Sequence, residues 1–470
     1  MPVGSGPTAY RTHSLREIQT EGASLVGEEV TVCGYMEANR GKGRICFADL
    51  RDGTGRLQIF LKEGDVDAET LDLTQRLTRE STVQVTGIVA EKRPPKVPEG
   101  APAPPTAYEV LAREVKVLAE AVAPLPLGVT DEVAIHLDTR LDHRFLDLRR
   151  AHIHAMFRLR SKVLEFGRRH LISEGFGETH TPKIVATATE GGTDLFPMRY
   201  FDIDAYLNQS PQLYKQLCMS GGLERVFEIG PAFRAEKHDT YRHLNEFISF
   251  DIECSWADDE DVMGVLERMI HHIWSSVATD PECQAYLADL NAHRTANGEH
   301  EVVIEAPPLP FPRVAYCDAI ERIQAKGGSI EWGDDIDAEN SDLLASDLPP
   351  FYFITRWPMD RKPFYILHHD EERSPMSGGR LSRGFDLNCG RDEMTSGGAR
   401  EHRIEQLVSN IEGMDLDPEA FEFYVAGFRH GVPPHAGWGL GVARILMMLT
   451  GARNVREVVL FPRDRQRVVP

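Results

Sequence analysis

Two arginines, two histidines and two glutamates are packed between Phe233 and Phe247, bracketed by the apolar runs Val226-Phe227-Glu228-Ile229 and Phe247-Ile248-Ser249-Phe250. A guanidinium fork meets phosphate oxygens bidentately, so a rigid loop carrying Arg234 and Arg242 suits a phosphate chain. Such a loop is equally a solvated, charge-paired surface when judged alone. Downstream, Phe385-Asp386-Leu387 precedes Asp392-Glu393-Met394-Thr395-Ser396-Gly397-Gly398-Ala399-Arg400. Asp386 and Glu393 read either as surface charges or as oxygen ligands for Mg²⁺, which takes few carboxylates and leaves room for phosphate oxygens. A third segment, Gly437-Trp438-Gly439-Leu440-Gly441-Val442-Ala443-Arg444, reads as a glycine-rich turn opening an apolar helix from Ile445 to Leu449. A fourth, Gly175-Phe176-Gly177-Glu178-Thr179-His180-Thr181-Pro182, follows an amphipathic stretch.

The elements that must hold these residues are partly visible. The apolar runs around Arg234 predict two strands joined by a long hairpin loop. Met156, Leu159, Val163, Phe166 and His170 recur at helical steps and predict a helix with one buried face. Upstream, Val30 to Tyr35, Arg44 to Phe47, Leu57 to Leu61, Thr82 to Val89 and Tyr108 to Val117 predict five short strands, with Arg51-Asp52-Gly53-Thr54-Gly55 as a hairpin turn. This suits a Greek-key barrel of the OB type. Between strands four and five, the proline-dense stretch from Arg93 to Pro105 predicts an extended surface loop. The expected organisation is α+β: an N-terminal OB barrel over 1–120, a hinge over 121–150 marked by Ala123-Pro124-Leu125-Pro126, and a catalytic domain over 151–470. That domain is expected to be an antiparallel sheet flanked by helices. The weakly patterned stretch 278–305 reads as a peripheral insertion.

The chain has 470 residues, a net charge of -21, 41% hydrophobic and 27% charged residues. The length predicts more than one domain, and the acidity argues against a general nucleic-acid binder. The arginines at 453, 456, 463, 465 and 467 form a local basic concentration, read as a solvated tail or as a binding patch. Seven scattered cysteines without a CxxC pair predict neither a disulfide framework nor a structural zinc. With no long apolar run and no signal pattern at Met1 to Gly6, a cytoplasmic protein is expected.

All four segments in this order resemble the class II aminoacyl-tRNA synthetases, and within them the aspartyl enzymes of archaeal type. Gly175 to Pro182 is similar to motif 1, Phe233-Arg234-Ala235-Glu236 to motif 2, and Gly439 to Arg444 to motif 3. Gln209-Ser210-Pro211-Gln212-Leu213-Tyr214-Lys215-Gln216 resembles the aspartyl signature, and Ala188 to Thr193 the loop that closes over the amino acid. The resemblance implies ATP-dependent activation of aspartate and its transfer to tRNA(Asp), by a homodimer built through motif 1, and leaves open whether tRNA(Asn) is charged as well.

The same resemblance implies residue roles. Arg234 would clamp the α-phosphate and Arg444 the γ-phosphate, with Ala235, Glu236, Arg242, His243, Leu244, Glu393, Gly441, Val442 and Ala443 around ATP. Asp386, Glu393 and Ser396 would hold Mg²⁺. Lys215 and Arg400 would pair with the substrate's side-chain carboxylate, with Glu190, Gln212, Leu213, Tyr214, Arg234 and Ser396 around the rest of the amino acid. Phe47 and Gln58 would stack on and hydrogen-bond an anticodon base, as single-stranded RNA is commonly read.

Three departures from the pattern stand out. Ala443 replaces the usual acid before the motif 3 arginine, which removes a charge partner expected for Arg444. Gly390-Arg391-Asp392 differs from the usual wording between the metal carboxylates. Glu37 stands where aspartate-only and relaxed enzymes differ, and matches neither. Two readings compete with the aspartyl one: an asparaginyl enzyme, against which Lys215 and Arg400 argue, and a paralogue that binds tRNA without charging it, favoured only by Ala443. A free-standing asparagine synthetase would not be expected to carry the barrel.

Overall fold

The computed structural model describes residues 6–94, 105–130, 134–187, 195–237 and 240–470. Most of the proline-rich loop, and Ala188 to Thr193 with Glu190, lie outside the described residues. The chain divides into two compact units, residues 1–150 and 151–470.

In the first unit, α1 (Leu15–Leu25) starts at Ser14, whose side chain and that of Glu17 form a reciprocal capping box. Strands β1 (Glu29–Lys42), β2 (Ile45–Arg51), β3 (Arg56–Lys62), β4 (Thr82–Glu91) and β5 (Tyr108–Ala119) close into a barrel in the order β1-β2-β3-β5-β4. Alternation along β4 turns Val83, Val85 and Val89 inward, where they meet Val30, Val32, Leu57 and Ile59, and Leu15 and Ile18 of α1 join the same core. Helix α2 (Ala68–Arg76) bridges β3 and β4. The segment expected as a hinge belongs to this unit and carries two short helices, α3 (Leu137–Asp142) and α4 (Arg144–Asp147).

The second unit begins with α5 (Ala151–Ser173), which buries Met156, Leu159, Val163 and Phe166. Next come β6 (Gly177–Glu178), β7 (Ile184–Val185), β8 (Pro197–Tyr200), β9 (Ile203–Leu207), α6 (Gln212–Ser220), β10 (Arg225–Phe233), β11 (Glu246–Ser255), α7 (Asp259–Thr279) and α8 (Pro281–Ala296). The remainder is β12 (Arg313–Ala315), α9 (Tyr316–Ala325), α10 (Ala338–Ala345), β13 (Phe351–Thr355), β14 (His368–Arg373), β15 (Arg380–Ser382), β16 (Gly384–Cys389), β17 (Asp392–Ala399), α11 (Ile404–Gly413), α12 (Glu422–Phe428), β18 (His435–Gly441) and α13 (Val442–Thr450). Eight strands form one sheet in the order β12-β13-β16-β17-β18-β11-β10-β6. Within it only the β12/β13 and β10/β6 pairs run parallel.

Two expectations change. The stretch 278–305 contains the sixteen-residue helix α8, capped by Asp280 and burying Cys283, Tyr286, Leu287 and Leu290. Its weak periodicity hid a helix that packs along α5. The glycine-rich segment is no turn: Gly437, Gly439 and Gly441 lie in the interior strand β18, and α13 follows directly. The reason is space. A Cβ on Gly437 would come within 2.2 Å of the Ile252 carbonyl oxygen and 2.3 Å of Glu253 Oε2, and one on Gly439 within 2.9 Å of Asp251 Oδ1, so the backbone and acids of β11 fill the room those glycines leave.

Candidate active site

Strands β10 and β11 pair in continuous register from Arg225↔Cys254 to Phe233↔Glu246, so the loop between them leaves the sheet at Arg234. Asn245 closes its mouth. Its carbonyl accepts from the Arg234 N–H at 2.9 Å, and its Nδ2 donates to the carbonyls of Arg234 at 2.7 Å and Glu236 at 3.2 Å. The Arg234 guanidinium lies 5.3 Å from the Phe247 ring centroid, with Nε 3.5 Å from Gln209 O. Further round the loop, Arg242 Nη2 pairs with Asp392 Oδ1 at 2.8 Å, and His243 Nδ1 lies 2.6 Å from Thr240 Oγ1.

This loop walls a cavity of about 350 Å³. Among the expected residues it is lined by Gln212, Arg234, Glu236, Arg242, His243, Leu244, Glu393, Ser396, Arg400, Gly441, Ala443 and Arg444. Six cationic side chains face it (Arg234, Arg242, Arg361, Lys362, Arg400 and Arg444) against the acids Glu236, Asp251 and Glu393. An excess of guanidinium and ammonium groups suits an anionic ligand. Leu213, Tyr214, Lys215, Ala235, Asp386 and Val442 are not among the lining residues. Leu213 is fully buried beside Phe364 and Tyr424, and the Tyr214 ring sits 5.8 Å from that of Phe423.

Behind one end lies a buried charge set that the sequence reading did not assemble. On β11, Asp251 and Glu253 point to one face of the sheet at the strand's period of two. Glu253 is 0% exposed, and its carboxylate accepts from Arg400 Nε at 2.9 Å and Nη2 at 3.3 Å. Lys215 Nζ bonds Asp251 Oδ1 at 3.1 Å and Trp438 O at 3.2 Å, and lies 3.6 Å from Glu253 Oε2. Burial alone would push the Glu253 carboxyl up, but the charges of Arg400 and Lys215 outweigh it and hold it below its ordinary range. The expected substrate-facing cations are thus both compensated from within the protein. Of the two, Arg400 reaches the cavity. Two acids inside the apolar run Phe250-Asp251-Ile252-Glu253-Cys254 were the available signal, since buried carboxylates require partners.

Gln212 is oriented by a chain running away from the cavity. Its Nε2 donates to Gln216 Oε1 at 2.9 Å, and Gln216 Nε2 lies 2.9 Å from His435 Nε2. His435 Nδ1 lies 2.8 Å from Pro433 O, an arrangement that fits a neutral imidazole protonated on Nδ1. Burial lowers the His435 pKa to about 4, which agrees with the neutral form.

Asp386, on β16, is paired in register with Ser396 of β17. Its Oδ2 accepts from Lys362 Nζ at 2.9 Å, while Oδ1 is buried with no donor of normal geometry on it. Burial pushes the carboxyl up against the pull of Lys362, and the Glu393 charge adds to the rise. Ser396 Oγ donates to Glu393 Oε1 at 3.1 Å. Among the described residues no group of three or more His, Cys, Asp or Glu could hold a metal. A buried carboxylate oxygen beside the Ser396 hydroxyl and a second carboxylate nevertheless fits Mg²⁺, an ion that completes its shell with water and phosphate.

The missing acid at 443 leaves Arg444, on α13, supported from strand β17. Its Nη1 donates to the backbone carbonyl of Glu393 and lies 3.8 Å from that residue's Oε1.

In the first unit, Phe47 is half-buried, 5.0 Å from the Phe60 ring. Gln58 Nε2 donates to Glu109 Oε2 at 2.6 Å. Gln58 lines a depression of about 430 Å³ with Glu37, Asp49, Arg56 and Arg79. Phe47 is not part of its lining. Glu37 is engaged by Arg56 at 2.8 Å and lies 3.9 Å from Arg51.

Comparison with known proteins places these features. Residues 136–465 match the family model described as tRNA synthetases class II (D, K and N). The chain belongs to the class II tRNA synthetases. Its barrel, over residues 30–118, matches the OB-fold nucleic acid binding domain. An aspartate–tRNA(Asp/Asn) ligase of Archaeoglobus fulgidus is 47% identical to it over 95% of this chain and 97% of its own. The same-named protein of Methanococcus maripaludis is 42% identical over 98% of each. Among solved structures, asparaginyl-tRNA synthetase from Pyrococcus horikoshii complexed with asparaginyl-adenylate superposes with a TM-score of 0.83 at 31% identity, covering 98% of this chain and 100% of its own. A putative aspartyl-tRNA synthetase from Leishmania major gives 0.84 at 28%, covering 100% and 96%. The segment similar to motif 2 lies in the β10–β11 hairpin and that similar to motif 3 lies across β18 and α13. No helix among its described residues is long and apolar enough to cross a membrane.

Proposed function

We propose that this class II synthetase activates L-aspartate with ATP and transfers it to tRNA(Asp), and to tRNA(Asn) as well. The observation that carries the reading is the cavity itself, which joins Arg234, Arg444 and Arg400 in one cationic pocket. The full-length relatives named for aspartate and for both tRNAs support the choice of substrate.

In the first step the substrate α-carboxylate attacks the α-phosphate and pyrophosphate leaves. Such a reaction needs alignment and charge neutralisation more than a protein nucleophile. Arg234, fixed by Asn245 and Phe247, holds the α-phosphate, while Arg444 takes the far end of the triphosphate. Asp386, Glu393 and Ser396 would hold Mg²⁺, which when bound neutralises phosphate charge. Gln212 and Glu190 attend the substrate's α-carboxylate and ammonium. Arg400 faces the side-chain carboxylate, with Lys215 in the same buried set. In the second step a terminal hydroxyl of the tRNA attacks the aspartyl carbonyl and AMP leaves. Residues 1–120 act as the anticodon-binding barrel, with Phe47 and Gln58 on the base, and 121–150 as the hinge to the catalytic domain.

A homodimer and a cytoplasmic location go with this reading. The edge position of β6 in the sheet and the exposed Ile172 and Ile184 beside motif 1 support the dimer, which light scattering tests.

The deciding assay is aspartate-dependent pyrophosphate exchange, followed by charging of purified tRNA(Asp) and tRNA(Asn). Exchange with aspartate and not asparagine is expected. Exchange with asparagine alone would replace this reading by the asparaginyl one.

A further inference from the structure

The arginines after residue 450 were open to two readings, a solvated tail or a binding patch, and neither describes Arg456. It is 8% exposed, and its Nε pairs with Asp464 Oδ2 at 2.6 Å. Its Nη1 donates to the backbone carbonyl of Thr240, inside the hairpin loop, at 3.0 Å. The N–H of its neighbour Val455 donates to the next carbonyl, Tyr241 O, at 2.9 Å. Two consecutive residues therefore grip two consecutive loop carbonyls. Asp464 is itself fixed, since its Oδ1 accepts from the N–H groups of Gln466 and Arg467, both at 2.9 Å.

Thr240 is the link to the cavity. Its hydroxyl lies 2.6 Å from His243 Nδ1 and accepts from the Arg242 N–H at 3.3 Å, and both of those side chains line the pocket. Other supports of the loop are its sheet ends, the Arg242–Asp392 pair, Arg391 Nη2 at 3.4 Å from the Tyr241 hydroxyl, and Arg465 Nη1, which donates to Lys237 O at 3.4 Å. A charge-assisted bond to a carbonyl from a nearly buried guanidinium is among the stronger anchors available to a loop.

We propose that Arg456 is a positioning residue for the nucleotide: held by Asp464, it fixes Thr240 and through it sets Arg242 and His243 against ATP. The inference deepens the reading of this cavity as an ATP and aspartate site and rests on it. It assigns Arg456 no contact with either substrate.

The test is the split between two Michaelis constants in aspartate-dependent pyrophosphate exchange. Arg456→Met keeps the stem and removes both bonds. We expect its KM for ATP to rise about tenfold, the scale of one lost charge-assisted bond, with the KM for aspartate unchanged. Asp464→Asn moves the KM for ATP in the same direction by less. If both constants rise together, or neither rises, Arg456 serves packing alone and the proposal falls. Should Arg456→Met fail to fold, Asp464→Asn decides by the same comparison. If the unaltered protein shows no aspartate-dependent exchange, the functional reading fails instead. Calorimetric ATP affinity of the unaltered protein against Arg456→Met then decides the role of Arg456.

Discussion

Glu253 and Arg400 form a two-point ion pair in the floor of the cavity, with neither side chain more than 3% exposed. The pair changes how selection for aspartate is to be understood. Arg400 does not await a substrate carboxylate as a bare charge, so selectivity depends on how Glu253 and Asp251 balance two cations before the substrate arrives. Removing one member of a buried pair leaves the other uncompensated. Glu253→Gln is therefore expected to cost about 3 kcal/mol of stability and to raise the KM for aspartate more than that for ATP, read by denaturant unfolding and pyrophosphate exchange.

His435 supplies a pH signature. Its imidazole titrates near 4 in the folded protein against an ordinary value of 6.5. The unfolded chain binds the extra proton first, so this contribution is fully present above pH 6.5 and is lost as pH falls towards 4. The size is about 3 kcal/mol. Unfolding midpoints measured across that window should drop with acid, and His435→Asn should flatten the slope.

Arg234 is tested by substitution in two steps. Arg234→Ala should lower pyrophosphate exchange by roughly a hundredfold or more, the usual scale for losing a group that stabilises developing charge. Arg234→Lys keeps the charge without the fork and should recover part of it. Exchange unaffected by the alanine change would remove Arg234 from the α-phosphate.

Asp386→Asn addresses the metal. Weakening this carboxylate should raise the Mg²⁺ concentration for half-maximal exchange at least tenfold. An unchanged Mg²⁺ titration would place the ion elsewhere.

Phe47→Ala should leave pyrophosphate exchange intact and raise the KM for tRNA about tenfold to a hundredfold, the worth of one stacked base. Equal loss in both assays would mean the barrel core had been damaged.

Much of this was legible in the sequence where a local rule applied. The strands around Arg234, the helix through Met156 and Val163, and the five barrel strands all follow from spacing and side-chain type. What escaped depended on residues far apart in the chain. Gly437 and Gly439 read as a turn because glycine signals a turn unless the Asp251 and Glu253 side chains opposite are known. Lys362, which holds Asp386, and Asn245, which closes the hairpin, sit in no recognisable pattern. Helix α8 was hidden because its buried residues are few and its exposed face is mixed.

The bare backbone of β18 also limits how such a pocket can change over generations. Positions 437 and 439 have no side chain to mutate away, yet any side chain added there meets a carboxylate at under 3 Å. An exhaustive substitution scan should find them among the least forgiving positions of the protein. Shortening Asp251 on β11 would open position 439, but at 437 the Ile252 carbonyl, 2.2 Å from any added Cβ, bars a side chain whatever stands at 253.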